Sequence, residues 1–169
     1  LPALLALAGS SPYWEGTDTG YASYRTQWFA RWPVTGMPEA FGSKASYDDL
    51  VADLVKTGMI DDASHLYWDV RPSTKFPTLE VRVADTCPSL DDVVLHTALA
   101  RSLVRVSAAA VERGDQLPPV RGEVVKAARW RAARFGLEEC LFDIRAHALR
   151  PAAEVVRDLL ARLRDDLEQ

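Results

Sequence analysis

The stretch Thr78-Leu79-Glu80-Val81-Arg82-Val83 alternates apolar and polar residues at the two-residue period of a β-strand. The apolar residues then share one face, while Glu80 and Arg82 project from the other face, about 7 Å apart along the strand. A carboxylate beside a guanidinium suits a polyanion held through a metal, because carboxylates bind hard cations and arginine binds phosphate or carboxylate oxygens. The same alternation is typical of the wet face of an antiparallel sheet, so both interpretations are open at this point.

The preceding segment LYWDVR, which ends at Arg71, is also strand-like, and a connection with proline at both ends, 72–77, follows it. Because proline at both ends stops the connection from continuing either strand, a hairpin is the simplest topology. Pairing symmetric about the connection places Asp69 opposite Glu80, with Arg71 and Arg82 on the same face. Such a face is either a self-neutralising set of salt bridges or a site for a metal-nucleotide. A slip of one residue in the strand pairing would move half of these side chains to the opposite face.

The composition predicts a single globular domain. The chain has 169 residues, of which 48% are hydrophobic and 26% charged, and its formal net charge is -4. A negative chain argues against nucleic acid as the main partner. The two cysteines, Cys87 and Cys140, fit a reducing compartment, so a cytoplasmic location is expected. No stretch approaches the ~18 apolar residues of a membrane span, so no membrane partner is expected.

Capping signatures and apolar periodicity predict four helices besides the apolar run 1–8. Ser46 with Asp49 predicts the start of one helix that Gly58 ends, and Ser89 with Asp92 predicts the start of another. The second helix is apolar on more than one face, which favours a central position. The helices are expected to begin near Ser46, to cover 90–113 and 122–135, and to run from Pro151 to Leu167. Together with the hairpin they predict one α+β unit over residues 1–169, an antiparallel sheet with packed helices.

The loop 10–25 is rich in hydroxyl groups, aromatic rings and glycine, and it ends at Arg25. Such a loop is suited to a substrate-binding wall, although a turn followed by an aromatic helix anchor has the same composition. The three histidines show no zinc spacing. The chain also lacks the phosphate-binding and nucleophile-elbow motifs of P-loop, Rossmann and α/β-hydrolase proteins.

Four motifs in order resemble the bacterial type 2 glutamate–cysteine ligases, a family of carboxylate–amine ligases. They are SPYWEGTDTGYASYRT (11–26), WDVRPS (68–73), PTLEVRVAD (77–85) and WRAARFGL (130–137). The resemblance covers nearly the whole chain. It implies a catalytic fold related to that of glutamine synthetase, and the ATP-dependent joining of glutamate to cysteine through an acyl phosphate. The product, γ-glutamylcysteine, belongs to glutathione biosynthesis.

The resemblance also implies roles for particular residues, with ATP and Mg²⁺ as cofactors and glutamate with cysteine or another amine as small-molecule substrates. Glu80 is similar to a strand carboxylate that coordinates Mg²⁺. Arg82 and Arg71 are expected to act catalytically on phosphate or substrate carboxylate. The expected substrate- or nucleotide-binding residues are Arg25, Trp14, Tyr21 and Arg134. A homo-oligomer is compatible with these expectations.

The chain departs from the family pattern at both ends. It starts inside an apolar helical run and ends inside an amphipathic helix, and the family's glutamate-rich and histidine-bearing strands are missing. The sequence therefore predicts an interior-to-C-terminal portion of a ligase catalytic domain that is inactive alone, because one carboxylate-bearing hairpin does not hold several Mg²⁺ ions. Two alternatives stay open: a non-catalytic binding or interaction module that retains the fold, and a ligase for a different amine.

Overall fold

The computed structural model of this chain describes residues 1–115 and 119–169, in which helices and short strand pairs alternate. The helices are α1 (Pro2–Ala8), α2 (Tyr24–Phe29), α3 (Lys44–Lys56), α4 (Leu90–Glu112), α5 (Gly122–Phe135) and α6 (Ala152–Leu167). The strands are β1 (Tyr13–Trp14), β2 (Thr17–Asp18), β3 (Thr35–Gly36), β4 (Tyr67–Trp68), β5 (Val70–Pro72), β6 (Leu79–Val81), β7 (Cys140–Asp143) and β8 (Ala148–Pro151). A turn of 3-10 helix covers Ala63–His65.

The strands of the described ranges pair two by two. The pairs β1–β2, β5–β6 and β7–β8 are antiparallel, whereas β3–β4 is parallel. The mixed helix and sheet content agrees with the predicted α+β class. The single antiparallel sheet is wrong for the described residues, because each ladder ends after two strands. A glutamine-synthetase-like arrangement stays a prediction.

The contacts of the described residues form two compact units. The first unit contains Leu1–Trp28 and Val83–Gln169, and the second contains Phe29–Arg82. These two units are defined by the contacts within each of them, which do not show whether either folds independently. A single domain over residues 1–169 therefore stays a prediction. The predicted site residues are divided between these two units.

The core of the first unit forms around α1, which packs against α4, α5 and α6. Leu4 and Leu5 of α1 are each 2% exposed, and Leu99 and Leu141 are each 1% exposed. Each buried leucine contributes about 1.5–3 kcal/mol relative to an exposed one. The apolar run at the start of the chain is therefore part of a buried helix, as the sequence predicts.

The helix α4 begins as predicted but is not central. Ser89 Oγ accepts the Asp92 N–H and the Asp92 carboxylate accepts the Ser89 N–H, both at 3.2 Å, which completes a capping box. Only Leu99 and Ser102 of this helix are buried, and Val94 is 66% exposed, so the central position is wrong for the described chain. Its apolar residues face outward because the other described helices of the unit cover a single face.

By length and composition α4 also meets the requirement for a membrane span, which corrects the statement that no stretch approaches that length. A lone helix of this kind is weak evidence for a span. The expectation of no membrane partner therefore stays a prediction.

The second unit packs around a small aromatic and aliphatic core made by Ile60, Leu66 and Trp68. The helix α3 starts two residues earlier than predicted, because Ser43, and not Ser46, caps it by accepting the Ser46 N–H at 3.1 Å. Gly58 follows the helix end with a φ of 73°, as the sequence predicts.

The last two helices have nearly the predicted bounds, with Pro151 as the residue before α6 and not as its first residue. The helix α5 covers the predicted 122–135, and α6 begins directly after Pro151. Leu159 and Leu163 of α6 are buried, as expected for its apolar stripe. Leu160 of the same stripe is 39% exposed, because it lies at the edge of the packed face.

Candidate functional site

The hairpin β5–β6 pairs in a register that differs from the symmetric one. Arg71 lies opposite Glu80 and Pro72 lies opposite Leu79, so the predicted pairing of Asp69 with Glu80 is wrong by two residues. The register differs because Pro72 is itself paired and is the last residue of β5. The connection between the two strands therefore begins one residue later than predicted. A shift of two residues preserves the faces of a strand, so the charged residues still share one side.

Two arginines converge on one oxygen of Glu80. Arg71 Nε donates to Glu80 Oε2 at 2.9 Å, and Arg82 Nη1 approaches the same oxygen at 3.4 Å. The Arg82 guanidinium also lies 5.9 Å from the centre of the Tyr67 ring. We call Glu80, Arg71 and Arg82 the Glu80 cluster. Of the two arrangements that the sequence leaves open, the described residues form the salt-bridged one.

The arginine Arg71 is committed to protein groups. Its side chain is 10% exposed, and its Nη1 lies 3.1 Å from the Ala63 carbonyl and 2.7 Å from those of Ser64 and Leu66. Because these contacts leave few of its donors for another anion, we interpret Arg71 as a residue that positions Glu80. A direct contact of Arg71 with a substrate stays a prediction.

The cluster fixes the charge of Glu80. The hydrogen bond from Arg71 holds the pKa of the Glu80 carboxyl below its ordinary value, although burial opposes the shift and Arg82 adds to it. Glu80 is thus an ion at neutral pH. Its negative charge is balanced by the two guanidiniums.

The described residues offer Glu80 no further carboxylate, histidine or cysteine partners for a metal cluster. Over residues 1–115 and 119–169, no group of three His, Cys, Asp or Glu side chains is placed to hold a metal ion. Magnesium prefers near-octahedral oxygen coordination, and Glu80 already shares Oε2 with two cations. The role of Glu80 as a Mg²⁺ ligand stays a prediction.

The polar loop of the first unit is organised by a buried carboxylate that sequence reasoning missed. Asp85, 5% exposed, accepts hydrogen bonds from the Ser10 N–H at 3.0 Å, Ser11 Oγ at 2.7 Å and Ser23 Oγ at 2.8 Å. Arg25 Nη1 lies 3.9 Å from Asp85 Oδ1. These partners are 60 to 75 positions away in sequence, so the local signal was no more than a charged residue a few positions after a strand.

The start of the loop forms the tight hairpin β1–β2. Glu15 and Gly16 have φ angles of 49° and 79°, which is typical of a two-residue turn between strands of right-handed twist. The turn presents Trp14, which is 38% exposed and stacks on Trp28 with ring centres 4.2 Å apart. The predicted role of Trp14 as a pocket wall stays a prediction.

The end of the loop meets the carboxyl end of α5. The Arg134 guanidinium lies 5.2 Å from the centre of the Tyr21 ring, and Trp130 Nε1 donates to Tyr21 Oη at 3.2 Å. Ser23 N–H donates to the Ala133 carbonyl at 2.9 Å, which satisfies a carbonyl at the helix end. A cavity of about 440 Å³ opens beside Tyr21 and Arg134.

The structure thus brings the predicted site residues together in two separate groups. The second unit holds Glu80 with its two arginines, and the first unit holds the other four predicted residues. Within the first unit Tyr21 contacts Arg134, Arg25 lies beside Asp85, and Trp14 stacks on Trp28.

Relatives of known name cover this chain but are longer than it. A protein of Frankia casuarinae named "Putative glutamate--cysteine ligase 2-2" is 49% identical over 169 residues, which are 100% of this chain and 20% of the relative. A relative from Salinispora arenicola, named "Putative glutamate--cysteine ligase 2", is 46% identical over 100% of this chain and 45% of its own length. One from Rhodopirellula baltica with the same name is 41% identical over 96% of this chain and 44% of its own length.

The chain therefore spans between one fifth and somewhat less than half of the relatives that it matches. The family model of glutamate-cysteine ligase family 2 matches residues 1–169, the whole chain. This chain belongs to glutamate-cysteine ligase family 2.

Proposed function

We propose that this chain is part of an ATP-dependent carboxylate–amine ligase that joins the γ-carboxylate of glutamate to the amine of cysteine. The observation that carries the proposal is the family match over all 169 residues. The names of the longer relatives support it. A cytoplasmic location and a place in glutathione biosynthesis are part of the proposal.

The chemistry requires activation of an unreactive carboxylate. The γ-carboxylate of glutamate attacks the γ-phosphorus of ATP, ADP leaves, and the acyl phosphate that forms is then attacked by the amine, with phosphate as the leaving group. Positioning and stabilisation of negative charge supply most of the catalysis in phosphoryl transfer. A protein therefore needs oriented cations more than a nucleophilic side chain.

The Glu80 cluster offers one such cation. The Arg82 side chain is 31% exposed, against 10% for that of Arg71, and it lies farther from Glu80 Oε2, at 3.4 Å, so the Arg82 guanidinium is the more accessible to solvent. We assign to Arg82 the contact with phosphate or carboxylate, and to Arg71 the positioning of Glu80. Arg25, held beside Asp85, is a second candidate contact for an anion.

The test uses the complete natural protein, purified and supplied with Mg-ATP, glutamate and cysteine. We expect ADP release that requires both amino acids and a product with the mass of γ-glutamylcysteine. Arg82→Gln should lower turnover at least tenfold, whereas Lys75→Gln, an exposed cation in the connection of the same hairpin, should leave it unchanged.

Each alternative has a distinct outcome. ADP release with another amine in place of cysteine identifies a different amine substrate. A folded protein that binds no Mg-ATP in calorimetry contradicts the ligase and identifies a binding module. Residues 1–169 alone should not turn over, because the described residues contain no metal-binding cluster.

A further inference from the structure

The cavity between the polar loop and the end of α5 carries charges of both signs. Arg134, Asp18 and Glu138 line it together with Tyr21 and apolar side chains such as Leu137. Its volume of about 440 Å³ lies in the range of small-molecule binding sites. A small cavity with one cation and two carboxylates matches a molecule that also carries both charges.

The Arg134 guanidinium is available to a ligand. Over the part of the chain that the structure describes, Arg134 contacts aromatic rings, with 5.2 Å to the centres of both Tyr21 and Phe135, and no carboxylate forms an ion pair with it. Its planar fork of donors suits a carboxylate bound through two parallel hydrogen bonds. Tyr21 is held in place by the Trp130 indole N–H, so the ring that supports Arg134 is itself oriented.

A glycine allows the arginine to lie against the loop. Gly20 has a φ of 72°, and a Cβ at this position would lie 3.1 Å from Arg134 Nη2 and 3.2 Å from Nη1. Any side chain there would press on the guanidinium. Since Asp18 Oδ1 accepts the Gly20 N–H at 2.8 Å, the same turn also fixes a carboxylate at the rim of the cavity.

We propose that this cavity binds the α-amino acid group of a substrate, with its carboxylate on Arg134 and its ammonium on Asp18 and Glu138. The choice of an amino acid as the ligand rests on the ligase function proposed above. The apolar part of the lining then faces the side chain of the amino acid. In bound glutamate the reacting γ-carboxylate lies away from the groups that hold the α-amino acid, whereas in bound cysteine the reacting amine lies beside Asp18 and Glu138.

The experiment is titration calorimetry of the complete natural protein without ATP. L-glutamate and L-cysteine are compared with analogues that lack one charge: N-acetyl-L-cysteine and glutarate have no ammonium, and cysteamine has no carboxylate. We expect at least one of the two amino acids to bind, and its analogues to bind roughly tenfold more weakly or worse. Equal affinity for an analogue, or binding of neither amino acid, overturns the proposal.

Variants test which residue binds which charged group of the amino acid. Arg134→Gln should weaken binding of the amino acid by roughly tenfold or more, and Arg134→Lys by less, because the charge remains. Arg101→Gln, an exposed arginine on α4, is the matched control and should bind as the natural protein does. Unchanged affinity of Arg134→Gln overturns the proposal, and so does a loss of Mg-ADP affinity without a loss of amino acid affinity.

A second variant keeps the proposal testable if Arg134→Gln does not fold. Asp18 is exposed, so Asp18→Asn should retain the folded state while it weakens binding of L-cysteine more than that of N-acetyl-L-cysteine. An equal effect on both compounds overturns the role of Asp18. Binding without turnover would leave the site intact and contradict the ligase, whereas turnover that is insensitive to Arg134→Gln would contradict the site alone.

Discussion

Arg71 and Glu80 lie directly opposite each other in the β5–β6 ladder, and Arg71 Nε donates to Glu80 Oε2 at 2.9 Å. The same guanidinium donates to the carbonyls of Ala63 and Ser64, in the 3-10 turn before the hairpin, and of Leu66, which directly follows that turn. Arg71 therefore ties two local structures of the second unit together. Of these two structures, Glu80 belongs to the hairpin alone.

This asymmetry predicts that Arg71→Gln destabilises the protein more than Glu80→Gln does. Loss of Arg71 removes a donor from three carbonyls and the nearer of the two donors from the Glu80 carboxylate, so we expect a decrease of about 2–4 kcal/mol in the free energy of unfolding. For Glu80→Gln, whose amide oxygen still accepts from Arg71, we expect about 1 kcal/mol or less. Urea unfolding followed by tryptophan fluorescence measures both, with Lys75→Gln as the control. Equal losses would show that the carbonyl contacts contribute little.

The lowered pKa of Glu80 predicts a pH dependence of stability. Its ordinary value is 4.5, and the hydrogen bond from Arg71 lowers the pKa in the folded state. The ionised carboxylate therefore stabilises the folded state above pH 4.5, and this contribution is lost as the pH falls from 4.5 through the lowered folded value. The difference in unfolding free energy between the natural protein and Glu80→Gln should be constant near neutral pH and shrink in this acid range. A difference that grows on acidification would contradict the assignment.

The buried carboxylate Asp85 should be the most sensitive position of the polar loop. Its side chain is 1% exposed and accepts three hydrogen bonds, so Asp85→Asn leaves an amide where hydroxyl and backbone donors converge. We expect a loss of about 2–4 kcal/mol in the free energy of unfolding. Asp165→Asn, an exposed position on α6, should change it by less than about 0.5 kcal/mol. Similar values for both variants would show that the loop is held by other contacts.

Substitution of two glycines distinguishes the cost of backbone strain from the cost of steric conflict. Gly58 has a φ of 73° with open space around a built Cβ, whereas Gly136 has a φ of 55° and its Cβ would lie 2.9 Å from Ala22 Cβ. Gly58→Ala should lower the free energy of unfolding by about 1 kcal/mol through strain alone. Gly136→Ala adds a conflict between the end of α5 and the loop, so we expect about 2–4 kcal/mol. Thermal unfolding of both variants tests this order, and the reverse order would refute it.

Local sequence was enough where a feature depends on a few neighbouring residues. The capping box of α4 needs only Ser89 and the residue three positions later, and its hydrogen bonds form as the motif predicts. The shared face of Glu80 and Arg82 follows from the period of a strand, so it survives the shift in register. The α3 cap was assigned to the wrong serine, because Ser43 and Ser46 offer the same local signal and packing of the helix decides between them.

Features that join distant residues could not be predicted in this way. The register of the hairpin depends on whether Pro72 accepts a paired position, which alternation does not reveal. The outward face of α4 depends on which helices cover it, and its apolar composition alone pointed to a central position.

By itself, the sequence of this protein determined the family, the class of fold, the capping of α4 and the face on which the hairpin charges lie. Only the tertiary structure decided that Glu80 pairs with Arg71, that Asp85 holds the loop and that Arg134 lies against Gly20. The physical reason is the range of the interactions. Backbone periodicity and capping act within one turn or one strand, whereas a buried carboxylate or a close glycine contact is selected by packing between segments far apart in the chain.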